Sequence, residues 1–206
     1  MSEPKSPREV AIGWAFSKVP AVGGLAKDLY HNANEWRRYR AEQTAQEIAE
    51  IVGPEELYAR ARENDELAAL LVQVLELAER TGFEAKRRLL VKAAANAFQD
   101  DAAIDPALLV THALQLLDTV HIRTLARLVG LADSPDGTEK KLREAGEEVP
   151  VPVLVTLVNS GVVTHDNRIL GGGMYLCDIT DFGRHLLREL QNADPKDEAI
   201  RWVPPE

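Results

Sequence analysis

Residues 161–190, GVVTHDNRILGGGMYLCDITDFGRHLLREL, decide how this chain folds. Val162–Ile169 reads as a strand and Leu170-Gly171-Gly172-Gly173 as a turn. Met174–Ile179 returns as a second strand, with Tyr175, Cys177 and Ile179 on one face by alternation. Thr180 then stands where a helix N-cap belongs, and Phe182, Leu186, Leu187 and Leu190 follow at helical spacing. Just upstream, Pro150-Val151-Pro152 opens a short apolar helix, Pro152–Ser160, which Gly161 closes as a C-terminal glycine cap.

Further upstream the chain reads as helix after helix. Asp133-Ser134-Pro135-Asp136-Gly137 is a turn cluster, and Thr138 is placed to cap Glu139–Ala145, with Leu142 and Ala145 inward and Gly146 at its end. Asp118 is placed to cap Thr119–Leu131. Asp105-Pro106 opens Ala107–Leu117 as a cap followed by a first-turn proline. Phe83–Phe98 is a further helix, with Lys86-Arg87-Arg88 read as a solvated face. Glu66–Arg80, capped by Asp65, carries the strongest three-and-four spacing. Gly53-Pro54 separates this region from a long helix, Leu25–Ile51. Its apolar seam of Leu25, Leu29, Ala33 and Trp36, then Ala41, Ala45 and Ile48, is thin, so it is partly exposed or pairs with another copy. Ser6-Pro7 starts a first short helix, Arg8–Val19, expected to dock on the body or on a second subunit. Beyond Asp194-Pro195 a polar tail still holds Ile200, Trp202 and Val203.

At this point the C-terminal third resembles a known family. LVTLVNSGVV, the hairpin and YLCDITDFGRHLLREL together resemble winged-helix proteins of the MarR and PadR type. That pattern is a recognition helix ending in a Gly-Leu/Val-Val step, a two-stranded wing, and a helix start of Leu/Ile-Thr-x-x-Gly-x-x-Leu-Leu. Here the last motif reads Ile179, Thr180, Gly183, Leu186, Leu187, and the likeness spans about Thr119–Leu190. The helical region ending in FEAKRRLLVKAAANAF resembles, in helix order, uncharacterised bacterial helical proteins of the abortive-infection kind. The expected fold is therefore mainly α: a helical region over 1–118, a winged-helix module with a two-stranded β-hairpin over 119–193, and a polar tail over 194–206.

The first resemblance implies duplex binding, with the recognition helix in the major groove and the wing on phosphate. The residues here argue against that use. If Val151, Leu154, Leu157 and Val158 face the core, the outward side of Pro152–Ser160 offers Pro152, Val153, Val155, Thr156 and Asn159, with no Arg or Lys. Asn159 and Thr156 are its candidates for reading base edges. The wing carries one cation, Arg168, beside Asp166. The preceding helix has Lys140, Lys141 and Arg143 among Glu139, Glu144, Glu147 and Glu148. The chain as a whole carries −9, the wrong sign for phosphate contact. The candidate DNA or partner contacts are thus Lys140, Lys141, Val153, Thr156, Asn159 and Arg168. An apolar outward face points instead to protein contact.

A second candidate surface is Trp36-Arg37-Arg38-Tyr39-Arg40, where Trp36, Arg37, Arg38 and Arg40 are candidate partner contacts. Arginine beside aromatic rings serves protein hot spots and nucleic acid alike. The plainer reading is a solvated helix face with Arg38–Glu42 pairing, worth a few tenths of a kcal/mol.

Chemistry is sparse. His31, His112, His121, His165 and His185 form no zinc spacing with each other or with Cys177. His112 and His121 fall on apolar helices and read as buried, hydrogen-bonded structural residues. The glycine turn is followed by neither Lys-Ser/Thr nor an immediate helix, so it is no phosphate loop. Cys177 has no nearby base, and a lone cysteine forms no internal disulfide. The expectation is no catalytic residue, no metal and no cofactor.

With 45% hydrophobic residues the chain supports one or two modest cores; with 5% aromatic they are built from Leu, Val, Ile and Ala. The start, MSEPKSPREV, is polar, and Val10–Ala26 is interrupted by Lys18, Pro20 and three glycines. No secretory signal and no integral membrane span are expected, and the cytoplasm is the expected compartment. The leading expectation is a non-enzymatic binding or assembly protein that meets a protein partner or itself, with the abortive-infection likeness implying phage defence. One alternative is a DNA-binding transcriptional regulator. Another is a membrane-surface effector acting through Val10–Ala26.

Overall fold

The computed structural model describes residues 23–134, 139–166, 175–196 and 200. The described chain is mainly helical with one small antiparallel sheet. The expected first helix, Arg8–Val19, the wing turn, the Thr138 cap and Trp202 lie outside the described residues.

The first described element, α1 (Gly23–Val52), matches the expected long helix. Gly53 turns the chain with a φ of 97°, a conformation glycine tolerates without strain, and Pro54 opens α2 (Pro54–Glu63). α3 (Asp65–Arg80) is capped by Asn64 rather than by Asp65: the Asn64 side-chain oxygen accepts from the backbone N–H of Glu66 and Leu67. α4 (Glu84–Gln99) follows, then a 3₁₀ turn (Asp101–Ala103) and α5 (Ile104–Leu116). The Asp105-Pro106 pair sits inside the first turn of α5 instead of ahead of it. Asp100 caps the 3₁₀ turn through the Ala102 N–H, which moves the helix start upstream.

α4 is the centre of the molecule. Ala85, Leu89, Leu90, Ala93, Ala94, Ala97 and Phe98 are buried, and exposure is confined to the stripe Arg88, Lys92, Asn96 and Gln99. Its alanines let α1, α3, α5 and the last helix approach from several sides. A helix buried this widely takes even its cations inside. Lys86 and Arg87 are 6% and 3% exposed, so the solvated face expected for Lys86-Arg87-Arg88 holds for Arg88 alone. Burying charge costs several kcal/mol unless it is paired. Arg87 is paired completely: its guanidinium donates twice to Glu47 of α1, both at 2.9 Å, and twice to Glu84, at 2.7 and 3.0 Å. Lys86 Nζ donates to the Leu117 carbonyl at 2.8 Å, satisfying the C-terminal end of α5.

The C-terminal part comprises α6 (Thr119–Ala132), α7 (Glu139–Glu147), α8 (Val151–Asn159), β1 (Val163–Asp166), β2 (Tyr175–Ile179) and α9 (Asp181–Ala193). α7 and α8 both pack on α6, α7 rests on β2, and α8 leads into β1. Gly146 lies inside α7 rather than ending it, at the closest approach to the hairpin. A Cβ there would stand 2.8 Å from the Leu176 Cβ.

The hairpin departs from simple alternation. Val163 pairs with Ile179 and Thr164 with Asp178, but His165 pairs with Leu176, so the register skips Cys177. This bulge turns Leu176 inward together with Ile179, whereas alternation had placed Cys177 there. A single contiguous core runs from Ile48 through α3–α6 to Leu176, Leu190 and Ile200, across the boundary expected near residue 118.

The stretch that opened the sequence reading closes on itself by hydrogen bonds. The Val162 N–H donates to the Leu157 carbonyl and the Gly161 N–H to Val158, the pairing of a Schellman cap, with Gly161 at φ 74°. Thr180 then ties α9 to this turn. Its hydroxyl donates to the Gly161 carbonyl at 2.7 Å and accepts from the Gly183 N–H at 2.9 Å. Its own N–H donates to the Val162 carbonyl at 3.1 Å. This is the physical content of the Thr-x-x-Gly motif: a cap that also clasps the preceding helix end.

Candidate partner-binding surfaces

The outward face of α8 is the first surface. Leu154 and Leu157 are buried, and Val153 and Val158 pack against the core half-buried. Val151, read from the sequence as a core residue, is 63% exposed. It belongs to the first turn, where the helix has just left Pro150 and nothing packs over its outer side. The solvent side is therefore Val151, Pro152 and Asn159, with the half-buried Val155 and Thr156 at its edge. Thr156 donates its hydroxyl hydrogen to the Pro152 carbonyl at 3.0 Å, which removes it as a donor toward a ligand. Asn159 is exposed. The face is thus apolar with one amide, and Val153 contributes only its half-exposed edge.

Two cations of the C-terminal part are engaged with carboxylates. Arg127 of α6 pairs with Glu148, and Arg184 of α9 pairs with Asp133 and lies 3.5 Å from Asp178. Lys141 is exposed on α7. The side chain of Lys140 and the whole of Arg168 lie outside the described residues.

The second surface is on α1. Trp36 and Tyr39 are 62% and 57% exposed and meet edge to face, 6.1 Å between centroids. Arg37 and Arg38 are exposed as well, Arg38 pairing with Glu42 at 3.1 Å. Arg40 is separated from them. It turns inward and donates to the Thr81 carbonyl at the end of α3, so its role is to fasten α1 to the body. Nearby in sequence, the exposed Tyr58 is covered on one side by the Arg62 guanidinium, 5.7 Å from the ring centre. The sequence reading passed over this pair; its i, i+4 spacing was the available signal.

Two concave features lie among the described residues. A groove between α2 and the end of α4 is lined by Glu56, Arg60, Glu63, Gln99, Asp100 and Asp101. Arg60 occupies it, donating to the Phe98 carbonyl at 2.7 Å and pairing with Asp101, which locks α2 onto α4. A small cleft where α4, α5 and α9 meet has an apolar floor of Leu89, Ala93, Ala107 and Val110. Its rim holds Asn96, His185 and the Lys92–Glu189 ion pair. Among the described residues no cluster of His, Cys, Asp or Glu is placed to hold a metal ion, and no helix is long and apolar enough to cross a membrane.

His112 is exposed on α5, contrary to the buried role expected for it, because the inner face of that helix runs through Ala107, Thr111 and Leu114. His121 is structural: its Nδ1 accepts from the Asp118 N–H at 3.0 Å at the start of α6. Burial first, and the nearby Lys86 as well, pull its pKa below the ordinary histidine value, while Asp118 opposes them. Since the folded state disfavours the proton, this contribution is complete above the ordinary histidine pKa and is lost as pH falls through the lowered folded value. Protonation also removes the Nδ1 acceptor. His121→Gln keeps an acceptor at this position without the titration. Between pH 7 and 5 we expect the native protein to lose about 0.5–1 kcal/mol more stability than His121→Gln, the size of a helix cap. Urea unfolding at the two pH values measures it.

Comparison with family models, with characterised proteins and with solved structures finds no match to this chain.

Proposed function

We propose that this protein is a non-enzymatic binding and assembly protein whose C-terminal part, 119–193, is a winged helix used for contact with protein. The single observation that carries this reading is the outward face of α8, apolar at the exposed Val151 and Pro152 and the half-buried Val155 and without a Lys or Arg along the helix. A face of this composition gains free energy by leaving water against another apolar surface. It offers phosphate no charge. The chain's net charge of −9 and the carboxylate partners of Arg127 and Arg184 add to the same balance. The likeness of the N-terminal helices to abortive-infection proteins supplies a setting, bacterial phage defence. A lone cysteine suits the reducing cytoplasm that setting implies.

A second reading, duplex binding, is favoured by the element order: three helices, a hairpin, then a helix clasped by the Thr-x-x-Gly motif. One titration separates the two. With a labelled random-sequence duplex at about 50 mM salt, contact through an apolar α8 predicts no saturable binding. Duplex binders instead lose about 10³–10⁵ in affinity between 50 and 200 mM salt. Steeply salt-dependent binding that Lys141→Glu weakens would overturn the protein-contact reading.

A further inference from the structure

The cleft where α4, α5 and α9 meet joins an apolar floor to charges of both signs. Leu89 and Ala93 lie one turn apart on α4, as do Ala107 and Val110 on α5, and together they make the floor. The rim is equally regular. Lys92 and Asn96 are four residues apart on α4, and so are His185 and Glu189 on α9, so each pair shares one side of its helix. The cleft encloses about 130 Å³. An aliphatic cavity of roughly 150 Å³ takes up one benzene, so this is room for one branched aliphatic side chain. It is too small for a nucleotide, since sites for ligands of that size start near about 300 Å³.

The rim has bonding capacity to spare. The Glu189 side chain is 19% exposed and its carboxylate pairs with Lys92, which is itself 55% exposed. The side chains of Asn96 and His185 make no hydrogen bond to another described residue. An ion pair with one half-exposed, flexible partner contributes little to stability, so parting it costs little.

We propose that this cleft binds a free aliphatic α-amino acid of valine or leucine size. The ligand carboxylate accepts from the Lys92 ammonium and the ligand ammonium donates to the Glu189 carboxylate, so one ion pair is exchanged for two. The Asn96 amide, in the same rim, is a further donor to the ligand carboxylate. The aliphatic side chain leaves water against Leu89, Ala93, Ala107 and Val110. Charge complementarity selects this class. A simple carboxylic acid takes Lys92 and strips the mostly buried Glu189 of its counter-ion; a simple amine does the same to Lys92. Glycine leaves the floor wet. Because α4 and α5 belong to the N-terminal helices and α9 to the C-terminal part, the ligand bridges the two.

Titration of the full chain with L-leucine, followed by the methyl NMR signals of Leu89 and Val110, tests this. Saturable shifts at both residues are expected, with a dissociation constant of roughly 0.1–1 mM. Glycine, L-leucinamide and 4-methylpentanoate are each expected to bind at least tenfold more weakly. Lys92→Met and Glu189→Gln are each expected to weaken L-leucine at least tenfold while leaving the melting temperature of the unliganded protein unchanged. Absence of saturable shifts up to about 20 mM L-leucine overturns the proposal. So does binding indifferent to both substitutions, or 4-methylpentanoate or L-leucinamide binding as tightly as L-leucine.

Discussion

Replacing Gly183 with alanine is expected to destabilise the protein by about 3 kcal/mol or more, the largest effect expected for a change to alanine among Gly183, Gly161 and Gly82. A Cβ at this position would lie 2.2 Å from the Val162 carbonyl oxygen and 2.9 Å from its carbon. Both are backbone atoms, so no side chain can swing aside. The clash falls on the carbonyl that accepts the Thr180 N–H, and relieving it pulls α9 away from the end of α8. Overpacking and the loss of the clasp then act together. For a chain of this size that corresponds to a fall in Tm of roughly 6–12 °C. Gly161→Ala, at φ 74° with open space around it, is expected to cost about 1 kcal/mol from backbone strain alone. Gly82→Ala meets nothing closer than 3.8 Å and is expected to be near neutral. Thermal melts of the three variants establish the order; equal losses at Gly183 and Gly82 would remove the clasp from the account.

Arg87→Met is expected to cost about 2–4 kcal/mol. Loss of one member of a buried ion pair typically costs 3–5 kcal/mol. The discount reflects Glu47 and Glu84, whose side chains remain 32% and 43% exposed and can take up water. Methionine fills part of the volume, so the loss reports the guanidinium and its four hydrogen bonds rather than a cavity. Hydrogen bonding from Arg87, then from Arg88, with their charges, holds the Glu84 carboxyl below its ordinary pKa against the opposing effect of burial. Its stabilising contribution is complete above the ordinary carboxylate pKa and is lost as pH falls through the lowered folded value. Acid unfolding of Arg87→Met should show less of this loss than the native chain. Urea melts at neutral and acidic pH check both the size and the sign.

Local signals carried much of the fold. Gly53-Pro54, the spacing of Leu67, Leu70 and Val74, and the Gly161 cap each have a short-range cause, and the elements they imply are present. What escaped is non-local. Arg87 meets Glu47 forty residues away, and nothing in Lys86-Arg87-Arg88 distinguishes a buried cation from a solvated one. Leu176 replaces Cys177 on the inner face because a bulge shifts the register, an event alternation does not register. Val151 is exposed because it lies in the first turn of α8, although Val149 and Leu154, two and three residues away, are core residues. Both candidate surfaces were legible as stretches. Their composition changed once Arg40 was seen to bind Thr81 and Thr156 to bind Pro152. The apolar character of α8, already visible in the absence of cations from Pro152–Ser160, became sharper.

The most direct test of protein contact through α8 places a photoreactive residue at Val155, with a second at the exposed Gln73 of α3 as the control. Irradiation is done in the cell that makes the protein. The account predicts an adduct at Val155, absent at Gln73, that survives nuclease and disappears with protease digestion of the captured partner. A nuclease-sensitive adduct at Val155, or none above the Gln73 background, would contradict it.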